Sequence, residues 1–187
     1  MMIVYKIKRN GEVMSIKSLK CNEIKLFLPR NENEKNFLEE CVNKEDYLKY
    51  VDVKDYSGFY IVEFKNIKIG IFDPNIEEYN GHKLSKPRIY IDKKCSIGCV
   101  SALFEILNIL VNIMEVDFII IACFRNNIRM RLIMKKLKFI FNGIYKLNRE
   151  ENEYDIFYYS ITAKNMNLEF GKLYEEYRGL FNNNYNY

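Results

Sequence analysis

Apolar and polar residues alternate in several short stretches of this chain, and a period of two predicts β-strands because successive strand side chains point to opposite faces. The alternation continues across Asn10-Gly11, a pair that suits the tight turn of a hairpin, and again across Lys65-Asn66. Two hairpins are therefore predicted, the first within residues 1–20. The predicted strands cover residues 3–7, 14–18, 24–28, 59–64, 67–72, 89–92, 116–123, 139–147 and 154–161.

Other stretches repeat their apolar residues every three to four positions, which predicts helices. The first of these follows Asn31 or Asn33, either of which can cap a helix end. Residues 73–86 are rich in polar and turn residues and are predicted to form a loop. The predicted helices cover residues 31–42, with a further turn at 47–51, and then residues 98–114, 126–138 and 163–181.

The chain is organised around residues 89–139, which predict a strand, a polar turn, an apolar helix, a second strand and a basic helix in that order. The second strand is apolar throughout, which is typical of a strand covered on both faces. In the basic helix, one side is predicted to be apolar and the other sides cationic. The apolar side consists of Met130, Ile133, Met134 and Leu137.

Length and composition indicate one globular domain, residues 1–187, because a chain of this size buries about 70% of its unfolded surface. No apolar run approaches the ~20 residues that cross a membrane, and the N-terminus becomes charged at Lys6, too early for a signal peptide. We therefore expect a cytoplasmic protein. The cysteines number 5, without a Cys-x-x-Cys pair, which predicts free buried thiols.

Histidine usage and net charge restrict the chemistry further. His82 is the single histidine, which excludes a Ser-His-Asp triad or a histidine-rich metal site elsewhere in the chain. The turn pair before it predicts a surface loop. The net charge of +4 is modest and does not by itself indicate nucleic acid or a membrane surface.

The order of these elements resembles the GNAT acetyltransferase superfamily over residues 24–162. Four segments carry the resemblance, and the first contains Gly70 where a glycine is usual in the family. They are similar, in turn, to the family's second and third strands, its fourth strand and pyrophosphate loop, its helix between asparagine and Lys-Leu-Gly-Phe, and its closing strands. The segments are residues 60–72, 89–103, 127–139, and 143–146 with 154–160.

The resemblance implies an α/β (α+β) fold with a mixed, mostly antiparallel central sheet and helices on both faces. The N-terminal hairpin and a C-terminal helix with a frayed tail, residues 163–187, would be additions to that core. The resemblance also implies a transferase that takes acetyl-CoA as its cosubstrate and acetylates an amine. The residues implied to bind the cofactor are Tyr90, Ile91, Asp92, Cys95, Ser96, Ile97, Gly98, Cys99, Val100, Ser101, Asn127 and Arg129.

The start of the apolar helix suits a pyrophosphate on physical grounds as well. A helix N-terminus offers unpaired N–H groups and about half a positive charge. Lys93 and Lys94 precede this start, and Gly98 lets an anion approach the main chain. Arg129 or Arg131 would meet the terminal phosphate in a fork, if the basic helix is more than a solvated face.

Acetyl transfer needs a base for the amine and an acid for the leaving thiolate. The candidate bases are Glu63, Asp73 and Asp92, and backbone N–H groups beside Asp92 would polarise the thioester carbonyl. The family commonly has a tyrosine acid at the position of Met134, which cannot donate a proton. The candidate replacements are Tyr145, Tyr158 and Tyr159.

Departures from the family pattern leave a second hypothesis open. Cys95 stands in place of a basic or amide residue, Val100 in place of a small residue, and Met134 in place of the tyrosine. The alternative is a catalytically inactive binding or interaction module with the same fold. Either hypothesis allows a small molecule or a protein as partner, and a monomer or an oligomer.

Overall fold

The computed structural model describes residues 18–21, 24–44, 56–92, 96–149 and 152–167. These residues fall into two compact units. The first unit extends to Asn75 and resumes from Arg88 to Leu107, and the second contains residues 76–87 and everything from residue 108 onward. That the chain is a single domain stays a prediction. The predicted turn at 47–51 and most of the predicted terminal elements lie outside the described residues.

In chain order the strands are β1 Ser18–Cys21, β2 Ile24–Phe27, β3 Tyr60–Phe64, β4 Ile67–Asp73, β5 Ile76–Tyr79, β6 His82–Ser85, β7 Arg88–Ile91, β8 Phe118–Phe124, β9 Ile140–Arg149 and β10 Asn152–Thr162. The helices are α1 Glu32–Val42, α2 Ser96–Asn112 and α3 Ile128–Lys136, and residues 163–167 are also helical. The mixed α+β architecture that the sequence predicts is confirmed.

The first unit is built on an antiparallel sheet with the strand order β1-β2-β3-β4-β7. Strands β3 and β4 form the second predicted hairpin. Its turn residues Lys65 and Asn66 have φ values of 49° and 64°, as a type I′ turn requires. A bulge follows, since Val62 pairs with Gly70 while Glu63 pairs with Lys68.

Helix α1 is capped by Asn31, one of the two predicted caps, whose side chain accepts a hydrogen bond of 3.0 Å from the Glu34 N–H. The Glu34 carboxylate reaches back and accepts from the backbone N–H of Arg30 at 2.8 Å, a variant of the capping box. The helix buries its apolar face in the core of the first unit. That core cluster consists of Leu38, Cys41, Val42, Phe59 and Ile71.

The second unit is built on a mixed sheet with the strand order β5-β6-β8-β10-β9, in which β6 and β8 are parallel and the other pairs antiparallel. The prediction of a loop at residues 73–86 was wrong, because β5 and β6 form a hairpin there. Asn80 and Gly81 make its turn with φ values of 51° and 77°. His82 is therefore a strand residue, although it is exposed as predicted.

Strand β8 differs from the fully covered strand predicted at 116–123. Its side chains alternate: Ile119, Ile121 and Cys123 are buried, whereas Phe118 and Ala122 are exposed. An apolar run therefore does not separate a strand with one covered face from a strand with two.

Two cysteines are described with their surroundings, and both are free and buried as predicted. Burial raises the pKa of Cys41 and of Cys123 to about 11, so both thiols stay protonated near neutral pH. No helix within the described part of the chain is long and apolar enough to cross a membrane. The described residues also contain no cluster of metal-ligating side chains.

Replacing Glu34 by Gln should lower the free energy of unfolding by about 1 kcal/mol near pH 7, because the variant loses the charged cap partner of α1. Burial alone would raise the pKa of Glu34, but the hydrogen bonds and charge of Arg30 outweigh it and hold that pKa below its usual value. A lowered folded pKa gives stability that is present above the unfolded pKa and is lost as pH falls through the folded one.

The stability difference between wild type and the Glu34 variant should therefore shrink when urea denaturation is repeated at about pH 3. Glu32→Gln is the matched control, since Glu32 lies in the same helical turn but its side chain is 78% exposed. An equal loss for Glu34→Gln at both pH values would contradict this account.

Candidate functional site

Strand β7 carries the first predicted cofactor residues and forms one edge of the sheet in the first unit. The Asp92 N–H donates to the Ile69 carbonyl at 2.8 Å, so it is not open to a ligand. Because N–H directions alternate in an antiparallel ladder, the N–H of Ile91 points away from β4. Within the described residues no strand pairs with that outer edge, so Ile91 presents a main-chain donor there.

The position of β7 depends on Gly70, which pairs with Ile91 on the neighbouring strand. A Cβ atom at Gly70 would lie 2.0 Å from the Tyr90 carbonyl oxygen and 2.9 Å from the Ile91 Cα, distances that no side chain tolerates. A glycine inside a strand often marks such a close approach of another backbone. Glycine here is a requirement of the strand pairing itself.

Helix α2 begins at Ser96, four residues after Asp92 and two residues before the predicted start at Gly98. Its first N–H groups have no acceptor within the helix, and its first turn carries no acidic side chain. The predicted residues from Ser96 to Ser101 thus lie in the first turns of this helix, where an anion binds most favourably. Cys95 lies outside the described residues.

Among the candidate bases, Asp92 lies directly at the end of β7. Its carboxylate accepts a hydrogen bond of 3.3 Å from the Lys44 ammonium, and its side chain is 34% exposed. The pKa of Lys44 is raised above its usual value. Its hydrogen bond to Tyr90 is the largest cause, the hydrogen bond to Asp92 adds to it, and burial opposes both. Lys44 was not predicted as a residue of the candidate site, because its only distinguishing feature in the sequence is its position just after α1.

The other two candidate bases are held in ion pairs of the same unit. Glu63 lies 3.5 Å from Lys25 across the β2–β3 pair, and its side chain is mostly buried. Asp73 is 7% exposed and pairs with Arg88, whose Nε donates to it at 2.6 Å. Its second oxygen accepts from the Asn75 N–H at 2.9 Å, so Asp73 fixes the start of β7 against the end of β4.

The second unit holds the remaining predicted residues. Asn127 caps α3, since its side-chain oxygen accepts from the Met130 N–H at 3.1 Å. Arg129 is exposed near the start of this helix. Arg131 lies with its guanidinium 4.5 Å from the Phe157 ring centroid, and its Nη1 donates to the Arg125 carbonyl at 2.9 Å.

Met134 is fully buried in the second unit and offers no proton donor. Of the tyrosines that could replace the missing acid, Tyr159 is also buried and packs against Phe141 at 5.5 Å between ring centroids. Tyr145 is 56% exposed and meets Tyr158 edge to face at 6.4 Å. None of these contacts marks one of the three as an acid.

Comparison with known proteins gives structural matches but no sequence match. No protein-family model matches the chain, and no curated protein matches it. A GNAT-family acetyltransferase from Bacillus anthracis aligns with a TM-score of 0.61 at 16% identity, over 79% of this chain and 99% of its own. A GCN5-related N-acetyltransferase from Brucella melitensis gives 0.59 at 16% identity, over 89% and 86%.

RimL, a ribosomal L7/L12 alpha-N-protein acetyltransferase solved with coenzyme A, aligns with a TM-score of 0.57 at 16% identity, over 76% of this chain and 95% of its own. The structural neighbours are thus acetyltransferases of the GNAT family. This chain has the GNAT fold, as the resemblance of its sequence implies.

Gly70→Ala should reduce the free energy of unfolding by about 3 kcal/mol, because β7 must move away from β4 to admit the methyl group. Urea denaturation measures the loss, and protein recovered only as insoluble material would be its extreme form. Ile67→Ala, at the 63% exposed start of the same strand, is the control and should cost less than about 1 kcal/mol. A Gly70 variant as stable as wild type would show that the strands do not approach in this way.

Proposed function

We propose that this protein is a diverged acetyl-CoA-dependent N-acetyltransferase. The observation that carries the proposal is the succession, in a GNAT fold, of an open strand edge at Ile91, a connection of four residues and the N-terminus of α2. This arrangement supplies main-chain donors for an extended amide-containing ligand and for a pyrophosphate in direct sequence. A cytoplasmic location is part of the proposal.

The cofactor would be held mainly by the backbone of the first unit. The pyrophosphate would accept from the first N–H groups of α2, where no carboxylate side chain of the first turn opposes it. The pantetheine would accept from the Ile91 N–H along the outer edge of β7, which is how an extended ligand adds to a sheet edge. Side-chain changes at Cys95 and Val100 leave these donors in place.

The transfer step would be direct attack of the acceptor nitrogen on the thioester carbonyl. The nitrogen–carbon bond forms, the carbon–sulfur bond breaks, and the proton on nitrogen must leave. Asp92 is the proposed base, because it lies at the end of β7 beside the cofactor edge and its side chain is 34% exposed, whereas the side chains of Glu63 and Asp73 are 14% and 7% exposed. A thiolate with a pKa near 8.5 can depart without an acid at the position of Met134.

The acceptor is proposed to be an amine on a small molecule or a protein. A neutral amine is required, and an α-amino group with a pKa near 8 reaches that form at a cost of about 1 kcal/mol at pH 7, compared with about 4 to 5 for a lysine side chain. The inactive interaction module is the competing hypothesis, and both share the fold. Measurements of acetyl-CoA binding and of acetyl transfer distinguish the enzyme from the inactive module.

Acetyl-CoA at about a hundred times its dissociation constant should stabilise the protein by about 2.7 kcal/mol, which a thermal-shift titration or calorimetry measures. S-acetyl-pantetheine, which lacks the pyrophosphate, is the matched control and should bind far more weakly. Incubation of the protein and acetyl-CoA with pooled amines and peptides should then release coenzyme A, and chromatography measures that release. Binding without release would favour the inactive module, and no shift at millimolar acetyl-CoA would refute both the cofactor and the enzyme.

Asp92→Asn should lower kcat by about 10²- to 10⁴-fold while leaving the affinity for acetyl-CoA nearly unchanged, since the amide keeps the shape but cannot take a proton. Glu63→Gln serves as the control, because that carboxylate is engaged with Lys25 across the sheet. Steady-state kinetics of both variants would show the loss of kcat in the Asp92 variant alone. Wild-type turnover by Asp92→Asn would exclude it as the base.

A further inference from the structure

An open groove of about 820 Å³ lies in the second unit between helix α3 and strands β9 and β10. Its apolar wall includes Ile128, Leu132 and Phe141, which are 62%, 56% and 50% exposed. Exposed apolar groups collected in one concave place are uncommon on a monomeric protein surface and mark interaction sites. None of the carboxylates discussed above lines this groove.

The apolar wall arises because α3 has two apolar faces. Ile133, Met134 and Leu137 are buried in the core of the second unit, which confirms three of the four residues on the predicted apolar side, whereas Met130 is half-buried. Ile128 and Leu132 are four residues apart and form a second ridge, on a side of the helix predicted to be cationic. This ridge is not needed for the core, since both side chains remain more than half exposed.

The charged residues that line the groove are all basic. They are Arg131, Lys135 and Lys138, and no aspartate or glutamate is among the lining residues. Arg131 is held in position by the Phe157 ring and the Arg125 carbonyl, while its buried Nε has no hydrogen-bond partner. Among the described residues, the groove therefore combines an apolar wall with cations that no carboxylate of its lining neutralises, and one of these cations is held in position.

Strand β9 borders this groove and is the terminal strand of its sheet. It pairs with β10 on one side, and none of the described strands pairs with its outer edge. Ile140, Ile144 and Tyr145 on this strand are each more than half exposed. A long edge strand with exposed apolar side chains is a template for adding an extended chain.

We propose that this groove and the edge of β9 dock an extended segment of a partner protein that combines acidic and apolar side chains. The β9 edge would supply main-chain hydrogen bonds, the apolar wall would bury every second side chain, and the three cations would pair with the carboxylates between them. The free strand edge favours a peptide over a lipid surface, because a bilayer offers no extended backbone. A nucleic acid would not use the apolar wall, and three cations are few for a phosphate track.

The test uses the whole chain of residues 1–187 and two labelled peptides of about ten residues. In one peptide glutamates alternate with leucine and phenylalanine, and in the other lysine replaces each glutamate. Fluorescence polarisation should detect the glutamate peptide at micromolar concentration and the lysine peptide at least about tenfold more weakly. The double variant Lys135→Glu/Lys138→Glu should reverse this preference. Lys136→Glu, the same type of substitution at a neighbouring position outside the groove lining, should not.

Leu132→Asp should also abolish binding of the glutamate peptide, and thermal denaturation of each variant controls for the fold. Equal binding of both peptides, no binding of either, or no reversal by the double variant would overturn the proposal. A dimer seen by light scattering, lost in Leu132→Asp and accompanied by no peptide binding, would assign the groove to a second copy of the chain and overturn it equally. Because neither peptide is an acetyl-CoA ligand, these outcomes are independent of acetyl transfer.

Discussion

The close backbone contact between Gly70 and Tyr90 is the constraint on which the candidate site depends. It lets β7 lie against β4 without a side chain between them, while the Asp73–Arg88 pair fixes the other end of the same strand pair. With both ends fixed, the outer edge of β7 and the N-terminus of α2 follow at a set distance along the chain. The candidate site therefore depends on the close approach of β7 to Gly70, on the short connection from β7 to α2, and on the Asp73–Arg88 ion pair.

The parts of the fold that could be predicted from the sequence are those marked by a pattern among neighbouring residues. The β3–β4 hairpin was predictable because alternation continues on both sides of its turn, and α1 because Asn31 precedes residues with helical spacing. The β5–β6 hairpin was missed because its strands have four residues each and β5 is exposed along its length, so no apolar alternation marks it. Asn80-Gly81 was the one signal present, and it indicates a turn without indicating the strands beside it.

The partners of the candidate carboxylates could not be predicted, because they are set by long-range packing. Lys44 is 48 residues from Asp92 in the chain, and the Lys25–Glu63 pair depends on the register of β2 against β3. An alternating pattern predicts a strand without predicting its neighbour or register. The sequence therefore predicted three candidate bases of equal standing, and the structure distinguishes them by position. The ion pairs of Glu63 and Asp73 join neighbouring strands, whereas Asp92 lies at the end of an edge strand.

The same distinction between main chain and side chain accounts for a fold that is recognisable while the sequence matches no family model. Under the proposed function, a cofactor site made of N–H groups constrains where strands end and helices begin, but it leaves side chains such as those of Cys95 and Val100 free to change. Gly70 is the exception, since its lack of a side chain is itself the main-chain requirement. Divergence should then be slowest at such contact points and fastest at side chains that only surround the cofactor. Under the proposed function, Met134 belongs to the second group. A thiolate leaving group lessens the need for an acid at this position. The position is also buried in the core, where an apolar side chain is more stable than a polar one.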